Sequence, residues 1–302
     1  MEEYKKLGAT DFFMLLVVLF WAINFTVVKI ALRQFSPLGF NGLRLLFSAL
    51  VLIFLLVISR EGLSLRRADF WAALGLGIIG HTGYQLLFIH GLNWTKASNT
   101  SIIMGMTPVF IALLSTFLKH EKIQWAAWLG ILISFAGFYL VITQQGEGFQ
   151  LTWENMRGDV MIFTGNILWA TYTVFSRPFL DRVSPLKWAT LTLTFGTVFY
   201  IPLAAPAIFR IPWKEISFQG WMSLLYSGLF AIVVCYILWY TSVKRIGNSK
   251  TAIYGNLNVV FSVSIAYIFL AERITPLQVC GAVIILAGVS LTRFGYRFFK
   301  KK

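Results

Sequence analysis

Charged side chains are scarce in this sequence. They make up 13% of its 302 residues, whereas a soluble domain has about a quarter. Hydrophobic residues make up 58% of the chain, and the mean hydropathy is +0.73. A chain of this composition lacks the polar surface that a water-soluble globule needs, so the sequence excludes most soluble folds and indicates that a lipid bilayer is its solvent.

Residues that bind metals or carry out acid–base chemistry are also few. The chain has 2 cysteines, 3 histidines and 12 acidic residues, and Cys235 and Cys280 show no metal-ligand spacing. The apolar segments place no nucleophile beside a base and no set of metal ligands in register, which disfavours a membrane-embedded enzyme. The sequence therefore predicts no cofactor and no metal site.

The net charge of +14 does not require an acidic partner. The basic residues are scattered between apolar runs and accompany no nucleic-acid-binding motif. Cytoplasmic loops of membrane proteins accumulate Lys and Arg by the positive-inside rule alone. We therefore expect a small-molecule substrate and membrane lipids as partners and no nucleic acid, and a monomer is compatible with the sequence.

Ten apolar segments follow one another with short links. Each is close to the roughly 20 residues that cross a bilayer as a helix. They lie at residues 11–32, 38–58, 68–91, 98–118, 123–143, 159–180, 186–208, 218–242, 249–270 and 275–294. The predicted fold class is an all-α membrane protein with ten transmembrane helices and no soluble domain.

The basic residues predict how these segments are oriented. Eighteen of the 26 Lys and Arg residues lie on the side that holds the N-terminus, six lie on the other side, and Lys29 and Arg44 lie within spans. By the positive-inside rule, both termini are cytoplasmic. We expect a multi-pass protein of the plasma (inner) membrane.

The opening apolar segment has a copy later in the chain. "FWAINFTVVKIALRQFSPLGF" at residue 20 aligns without a gap with "LWATYTVFSRPFLDRVSPLKW" at residue 168. Trp21 pairs with Trp169 at this offset of 148. Upstream, Asp11 pairs with Asp159, and each is predicted to cap a helix.

A second alignment extends the repeat. "PVFIALLSTFLKHEKIQWAAWLGILISFAGFYLV" at residue 108 matches "VVFSVSIAYIFLAERITPLQVCGAVIILAGVSLT" at residue 259. Each copy holds five predicted spans, and because five is odd the second copy enters the membrane from the opposite side. We predict two inverted five-helix repeats, at residues 1–145 and 156–302. Secondary transporters are often built in this way and bind substrate near the bilayer midplane.

Specific residues in the two copies resemble a known family. They are Trp21, Asn24, Phe25, Lys29, Ser36, Pro37 and Arg44, followed by Pro108, Val109, Phe110, Glu121, Gly130 and Gly137. Together they are similar to the EamA family of the drug/metabolite transporter superfamily, and the resemblance covers nearly the whole chain. It implies ten transmembrane helices and carriage of small metabolites, often the export of amino acids, and it leaves the substrate open.

Polar and aromatic side chains near mid-depth are the candidate substrate-binding residues. Tryptophan ordinarily lies at membrane interfaces, so Trp21 and Trp169 either pack inside the protein or line a cavity. The predicted set is Trp21, Asn24, His81, Tyr84, Gln85, Trp169, Tyr172, Tyr254 and Asn258. Hydrogen bonding between helices is the alternative role for the polar members. Pro108 is predicted to kink or break the fourth helix.

Two cations within the spans have more than one explanation. Lys29 lies about 11 Å outward from the centre of the first span. It either extends to the lipid headgroups or lines the outer vestibule as an anchor for a carboxylate or phosphate. Arg44 is deeper, where it either pairs with polar neighbours or helix-end carbonyls or contacts the substrate. The predicted spans place no carboxylate at mid-depth, so His81 is the only candidate there for proton coupling.

A metabolite carrier that works by alternating access is the favoured function. An aromatic and amide-rich cavity flanked by cations suits a neutral or zwitterionic solute such as an amino acid. A quaternary amine or other organic cation held by Trp and Tyr faces is the alternative substrate class. A passive channel and a membrane-embedded enzyme are the remaining hypotheses.

Topology mapping tests the inverted arrangement. Residues 144–157 and the C-terminal tail should lie on opposite faces of the membrane. Single cysteines placed in each segment, with Cys235 and Cys280 replaced by serine, should therefore react with an impermeant thiol reagent from opposite sides. Labelling of both segments from the same side would refute the inverted repeat.

Overall fold

The computed structural model describes residues 8–62, 64–118, 125–142, 153–252 and 254–299, and its regular elements there are helical. They are α1 (Ala9–Ala31), α2 (Pro37–Ile58), α3 (Arg67–Trp94), α4 (Ala97–Phe117), α5 (Trp125–Ile142), α6 (Trp153–Ser176), α7 (Pro185–Phe209), α8 (Phe218–Gly228, Leu229–Val234 and Cys235–Ile246, continuous), α9 (Gly255–Leu270) and α10 (Pro276–Phe299). A short helix, Asn248–Ala252, precedes α9. Most limits lie within a few residues of the predicted ones. The larger differences are in α6, which begins at Trp153 rather than at Asp159, in α9, which begins at Gly255 rather than at residue 249, and in α10, which ends at Phe299 rather than at residue 294.

The helices have the length and surface of membrane spans. Within the described residues, α1, α2, α3, α4, α7 and α8 are long and apolar enough to cross a bilayer, and shorter apolar stretches lie in α5, α9 and α10. Large hydrophobic side chains point outward along them, such as Phe54 at 63% exposure and Phe269 at 69%. So much exposed apolar surface is unfavourable in water and favourable in lipid. The chain is a multi-pass membrane protein.

Paired Ser-Pro motifs begin the second helix of each sequence copy. Ser36 Oγ accepts a hydrogen bond from the Gly39 amide at 3.3 Å, and Pro37 opens α2. Ser184 Oγ accepts one from the Lys187 amide at 3.1 Å, and a proline again follows at the first helical position. Serine satisfies a free amide at a helix start, and proline has no amide to satisfy there. The repeated motif therefore gives the same helix start twice.

Irregular turns interrupt three of the helices. The π-helical turn Ile78–Gly83 lies in α3 and the π-helical turn Leu229–Val234 lies in α8. The second turn begins and ends 151 residues after the first, and 151 is also the offset of the second sequence alignment. In α4, the helix breaks at a turn after Met104 and restarts at Thr107 with Pro108 in its first turn, which confirms the predicted interruption. Such irregularities often mark functional sites.

Helix packing has an exchange symmetry. α2 packs against α7 and α5 against α10, while α1 packs on α8 and α9 and α6 packs on α3 and α4. If α1 is exchanged with α6, α2 with α7, and so on through α5 and α10, the same set of contacts results. The core therefore lies between the two sequence copies rather than within either of them.

Glycines let α5 and α10 approach closely. A Cβ atom on Gly288 would lie 2.5 Å from the Gly130 carbonyl oxygen, and one on Gly137 would lie 2.7 Å from that of Gly281. The contacts follow opposite orders along the two helices, so the helices cross antiparallel. Small residues permit such close crossings in membrane proteins.

The crossing predicts a stability loss for Gly288→Ala. Its added methyl group meets backbone atoms that cannot move aside, with an expected cost of about 1–3 kcal/mol. Thermal unfolding in detergent should show a lower midpoint than for the wild type. Gly75→Ala is the matched control, because a Cβ atom there meets nothing within 4 Å. Equal midpoints for the two variants would contradict the close crossing.

Candidate substrate-binding site

A central cavity of about 80 Å³ lies where α1, α2, α3, α4, α6, α8 and α9 meet. Helices from both sequence copies build its wall. The described lining residues are Trp21, Asn24, Phe25, Arg44, Tyr84, Gln85, Phe88, Ser101, Met104, Gly105, Thr107, Trp169, Ala231, Ile232, Tyr236, Trp239, Ala252, Gly255 and Asn258. Both the break in α4 and the π-helical turn in α8 therefore reach the wall.

Aromatic rings form much of the wall. Trp21 and Trp169, paired in the sequence repeat, meet edge to face with ring centroids 5.9 Å apart. Trp239 lies 5.2 Å from Trp21, and Tyr84 lies 5.3 Å from Trp169. Trp21 Nε1 donates to the Ala231 carbonyl at 2.8 Å, within the π-helical turn of α8. Both tryptophans thus line the cavity rather than the membrane interface.

Arg44 brings a positive charge to this wall. Its side chain is 1% exposed, and its guanidinium donates to Ser227 Oγ at 2.9 Å and to Gln85 Oε1 at 2.6 Å. Gln85 in turn donates to the Tyr236 hydroxyl at 3.2 Å. These neutral partners come from α3 and α8. Among the described lining residues there is no Asp or Glu, so no carboxylate there neutralises the cation.

Some polar atoms of the lining residues have no hydrogen-bond partner in the described part of the chain. They are an acceptor, Asn24 Oδ1, and two donors, Arg44 Nε and Trp239 Nε1. Buried polar groups are rarely left without partners. The lining residues therefore carry two donors and one acceptor whose hydrogen bonds the described part of the chain does not supply.

His81, Tyr172 and Tyr254 do not line this cavity. His81 is fully buried behind the wall, where its Nε2 lies 2.9 Å from the Tyr172 hydroxyl. That hydroxyl also lies 2.7 Å from Thr192 Oγ1, which links α3, α6 and α7. Tyr254 lies just before α9 and donates its hydroxyl proton to Asp11. All three take part in hydrogen bonds between helices, the alternative role that the sequence left open.

Lys29 has a role outside the two predicted ones. Its ammonium group caps the C-terminal end of α3 by donating to three backbone carbonyls. These belong to Leu92 at 2.7 Å, Asn93 at 3.1 Å and Thr95 at 2.6 Å. Lys29 also borders a second cavity of about 330 Å³, together with Arg33 and Glu272. A cation at a helix C-terminus is favoured by the helix dipole.

Tyr236 and Trp239 are site residues that the predicted set omits. The signal for them was present, because adding the offset of 151 to Gln85 and Phe88 gives Tyr236 and Trp239. All four line the cavity. Carrying the candidate Gln85 to its repeat position would have found Tyr236, whereas Trp239 corresponds to Phe88, which the predicted set also omits.

The cavity is small compared with the solutes that the sequence predicts. A cavity of about 150 Å³ holds benzene, whereas this one measures about 80 Å³. A solute as large as an amino acid with a bulky side chain needs more room. In this conformation the candidate site is too small for such a solute.

Comparison with known proteins identifies the family. The model of the EamA-like transporter family matches residues 8–143 and, a second time, residues 156–294. The chain belongs to this EamA-like transporter family. Family membership indicates a transporter rather than an enzyme.

Individual relatives agree with this assignment of the EamA-like chain. It is 32% identical to the uncharacterized transporter YyaM of Bacillus subtilis (strain 168), over 90% of this chain and 89% of that protein. It is 26% identical to a probable amino-acid metabolite efflux pump of Escherichia coli (strain K12), over 95% of each chain. A solved crystal structure covers 97% of this chain and 99% of its own, with a TM-score of 0.71 at 16% identity, and so has the same fold.

The capping geometry predicts that Lys29→Met destabilises the protein. Three carbonyls at the end of α3 lose their donor, and an unsatisfied buried group costs about 1–3 kcal/mol. The thermal midpoint in detergent should fall, whereas Arg33→Gln, an exposed neighbour, should leave it unchanged. A stable Lys29→Met protein that loses transport of carboxylate solutes alone would instead support the anchor hypothesis.

Proposed function

We propose that this protein is a secondary transporter that exports an amino acid, or a related neutral or zwitterionic solute, across the plasma membrane by alternating access. The observation that carries the proposal is the buried guanidinium of Arg44 in the wall of an aromatic cavity. A buried charge is costly unless it is paired. A carboxylate on the substrate supplies the partner that the described lining residues do not.

The rest of the wall fits the other groups of a zwitterion. The faces of Trp21, Trp169 and Tyr84 surround the cavity and attract an ammonium group through their π electrons. Asn24 Oδ1 is a free acceptor for the same group, and Trp239 Nε1 is a free donor for the carboxylate. The Escherichia coli relative, whose name describes efflux of amino-acid metabolites, supports this substrate class and the direction of transport.

Three features support alternating access by two inverted repeats with ten spans in total, at residues 1–145 and 156–302. The interhelical contacts keep their pattern when helices five apart are exchanged. The π-helical turns Ile78–Gly83 and Leu229–Val234 occupy related positions. The α5–α10 crossing is antiparallel. Two related halves of opposite orientation can exchange conformations, which gives inward-open and outward-open states of similar energy.

The same proposal includes the setting of the transporter. Both termini are cytoplasmic by the positive-inside rule. The partners are the solute and membrane lipids, without nucleic acid. A monomer suffices, because a single chain encloses the cavity.

An organic cation is the second candidate substrate, favoured by the tryptophan-rich wall. Trp21 contacts both Trp169 and Trp239, as in sites that hold quaternary ammonium groups. Arg44 opposes this candidate, because it would repel a ligand that carries only positive charge.

Counterflow in proteoliposomes, with a panel of amino acids, their decarboxylated amines and quaternary amines, tests the proposal. Amino acids should show saturable counterflow. Arg44→Gln should lower their transport efficiency by about tenfold or more, because it removes a charged hydrogen bond, and should spare the decarboxylated amines. Arg44→Lys should retain part of the activity, and Arg210→Gln, an exposed arginine, should behave as wild type.

Three results would overturn this function. Equal losses for an amino acid and its amine would remove the carboxylate role of Arg44. Counterflow of quaternary amines alone would favour the organic-cation carrier, and flux without saturation would favour a channel.

A further inference from the structure

We infer that Asp11 and Asp159 are a pair of gating residues, each of which closes one end of the central cavity. The inference rests on the alternating-access part of the proposed function and does not depend on the substrate. The two aspartates occupy equivalent positions in the sequence repeat, 148 residues apart. Both lie in the first helix of their copy, α1 and α6.

Asp159 ties the second copy to the first. It is fully buried in α6, and its carboxylate accepts a hydrogen bond from the Thr95 hydroxyl. It also accepts one from Asn99 Nδ2 at 3.3 Å, and Asn99 Oδ1 accepts from Gln278 Nε2 at 2.7 Å. Because α6 begins at Trp153, the prediction that Asp159 caps this helix is wrong. Its carboxylate instead holds the start of α4.

Asp11 makes the corresponding link from the first copy to the second. Its carboxylate accepts a hydrogen bond from the Tyr254 hydroxyl and another from the Gly8 amide at 2.8 Å. Tyr254 immediately precedes α9. Each aspartate therefore joins the first helix of one copy to the start of the fourth helix of the other.

The two links lie at opposite ends of the cavity. Thr95, the partner of Asp159, also holds Lys29 through its carbonyl at 2.6 Å, so this link is at the C-terminal end of α1. Asp11 lies at the N-terminal end of α1, roughly 27 Å away along the helix. Trp21, which lines the cavity, lies between them. In the predicted orientation, Asp11 is at the cytoplasmic end and Asp159 at the outer end.

Each link is adjacent to the cavity wall. Ser101, two residues after Asn99, lines the cavity, and so does Gly255, directly after Tyr254. Opening an end of the cavity requires the first helix of one copy to separate from the fourth helix of the other, which breaks the aspartate's hydrogen bond. Both links are formed in this structure, in which the cavity is too small for a bulky amino acid.

Glu272 strengthens the outer closure. Its carboxylate accepts from the amides of Ala97 and Ser98 at 2.8 and 3.0 Å and from the Ser98 hydroxyl at 2.6 Å. It thereby holds the same start of α4 that Asp159 holds. Its repeat counterpart, Glu121, lies outside the described residues.

Sided labelling of a cysteine in the cavity tests the inference. The reporter is Met104→Cys, in a background where Cys235 and Cys280 are replaced by serine. An impermeant thiol reagent is applied to intact cells and to inside-out vesicles. Asp159→Ala should raise the labelling rate from the outer side by about tenfold, the effect of losing one charged hydrogen bond, and Asp11→Ala should do so from the cytoplasmic side.

Removing the partners should reproduce these shifts with both carboxylates in place. Tyr254→Phe should behave as Asp11→Ala does, and Thr95→Val as Asp159→Ala does, so the test holds even where an aspartate variant fails to fold. Asp181→Asn is the control for loss of an acidic group, because Asp181 is exposed and pairs with Arg177 one turn away.

The labelling pattern decides the inference by itself. Faster labelling from the same side in both aspartate variants would overturn it. So would unchanged labelling in variants that keep the wild-type thermal midpoint. If the Arg44 experiment fails, the substrate assignment changes, but the expected labelling of Met104→Cys in the aspartate variants does not.

Discussion

The burial of a guanidinium among apolar helices is the constraint on which this site depends. Arg44 cannot reach water, so it needs partners, and these come from α3 and α8. The hydrogen bonds of Arg44 therefore hold α2, α3 and α8 together at one point. Gln85 and Tyr236 belong to the same network. Removing a single partner from a buried charge costs more than the pair contributes when intact. The network therefore makes the geometry of the cavity specific while leaving room for one more anionic partner.

Much of the fold could be predicted from the sequence because lipid imposes simple rules. A span needs about 20 apolar residues, and the observed limits of α2, α3 and α4 follow the predicted ones closely. The repeat could be recognised in the sequence because matching residues have the same structural role in both copies. The Ser-Pro pairs, for example, begin a helix in each copy. The start of α6 was misplaced because Asp159 resembles a helix cap, whereas its carboxylate bonds with a different helix.

The position of each candidate along its helix was predictable, but the direction of its side chain was not. Trp21, Asn24 and Gln85 line the cavity, whereas His81, four residues before Gln85 on the same helix, lies behind the wall. Spacing along a helix gives relative directions, and only packing against neighbours sets the absolute one. The cap that Lys29 forms on α3 has the same origin, because its three carbonyl partners belong to a helix far along the chain.

The two sequence copies have equivalent gating residues and π-helical turns, but in the described part of the cavity wall only the first copy has a charged residue. Asp11 and Asp159 correspond, and so do the π-helical turns of α3 and α8. The counterpart of Arg44 is Thr192, which bonds with Tyr172 behind the wall rather than lining the cavity. On the proposed mechanism, both features are needed. Alternation requires the two ends to open by equivalent movements, whereas an asymmetric solute is held in one orientation and needs its charged partner on one side alone.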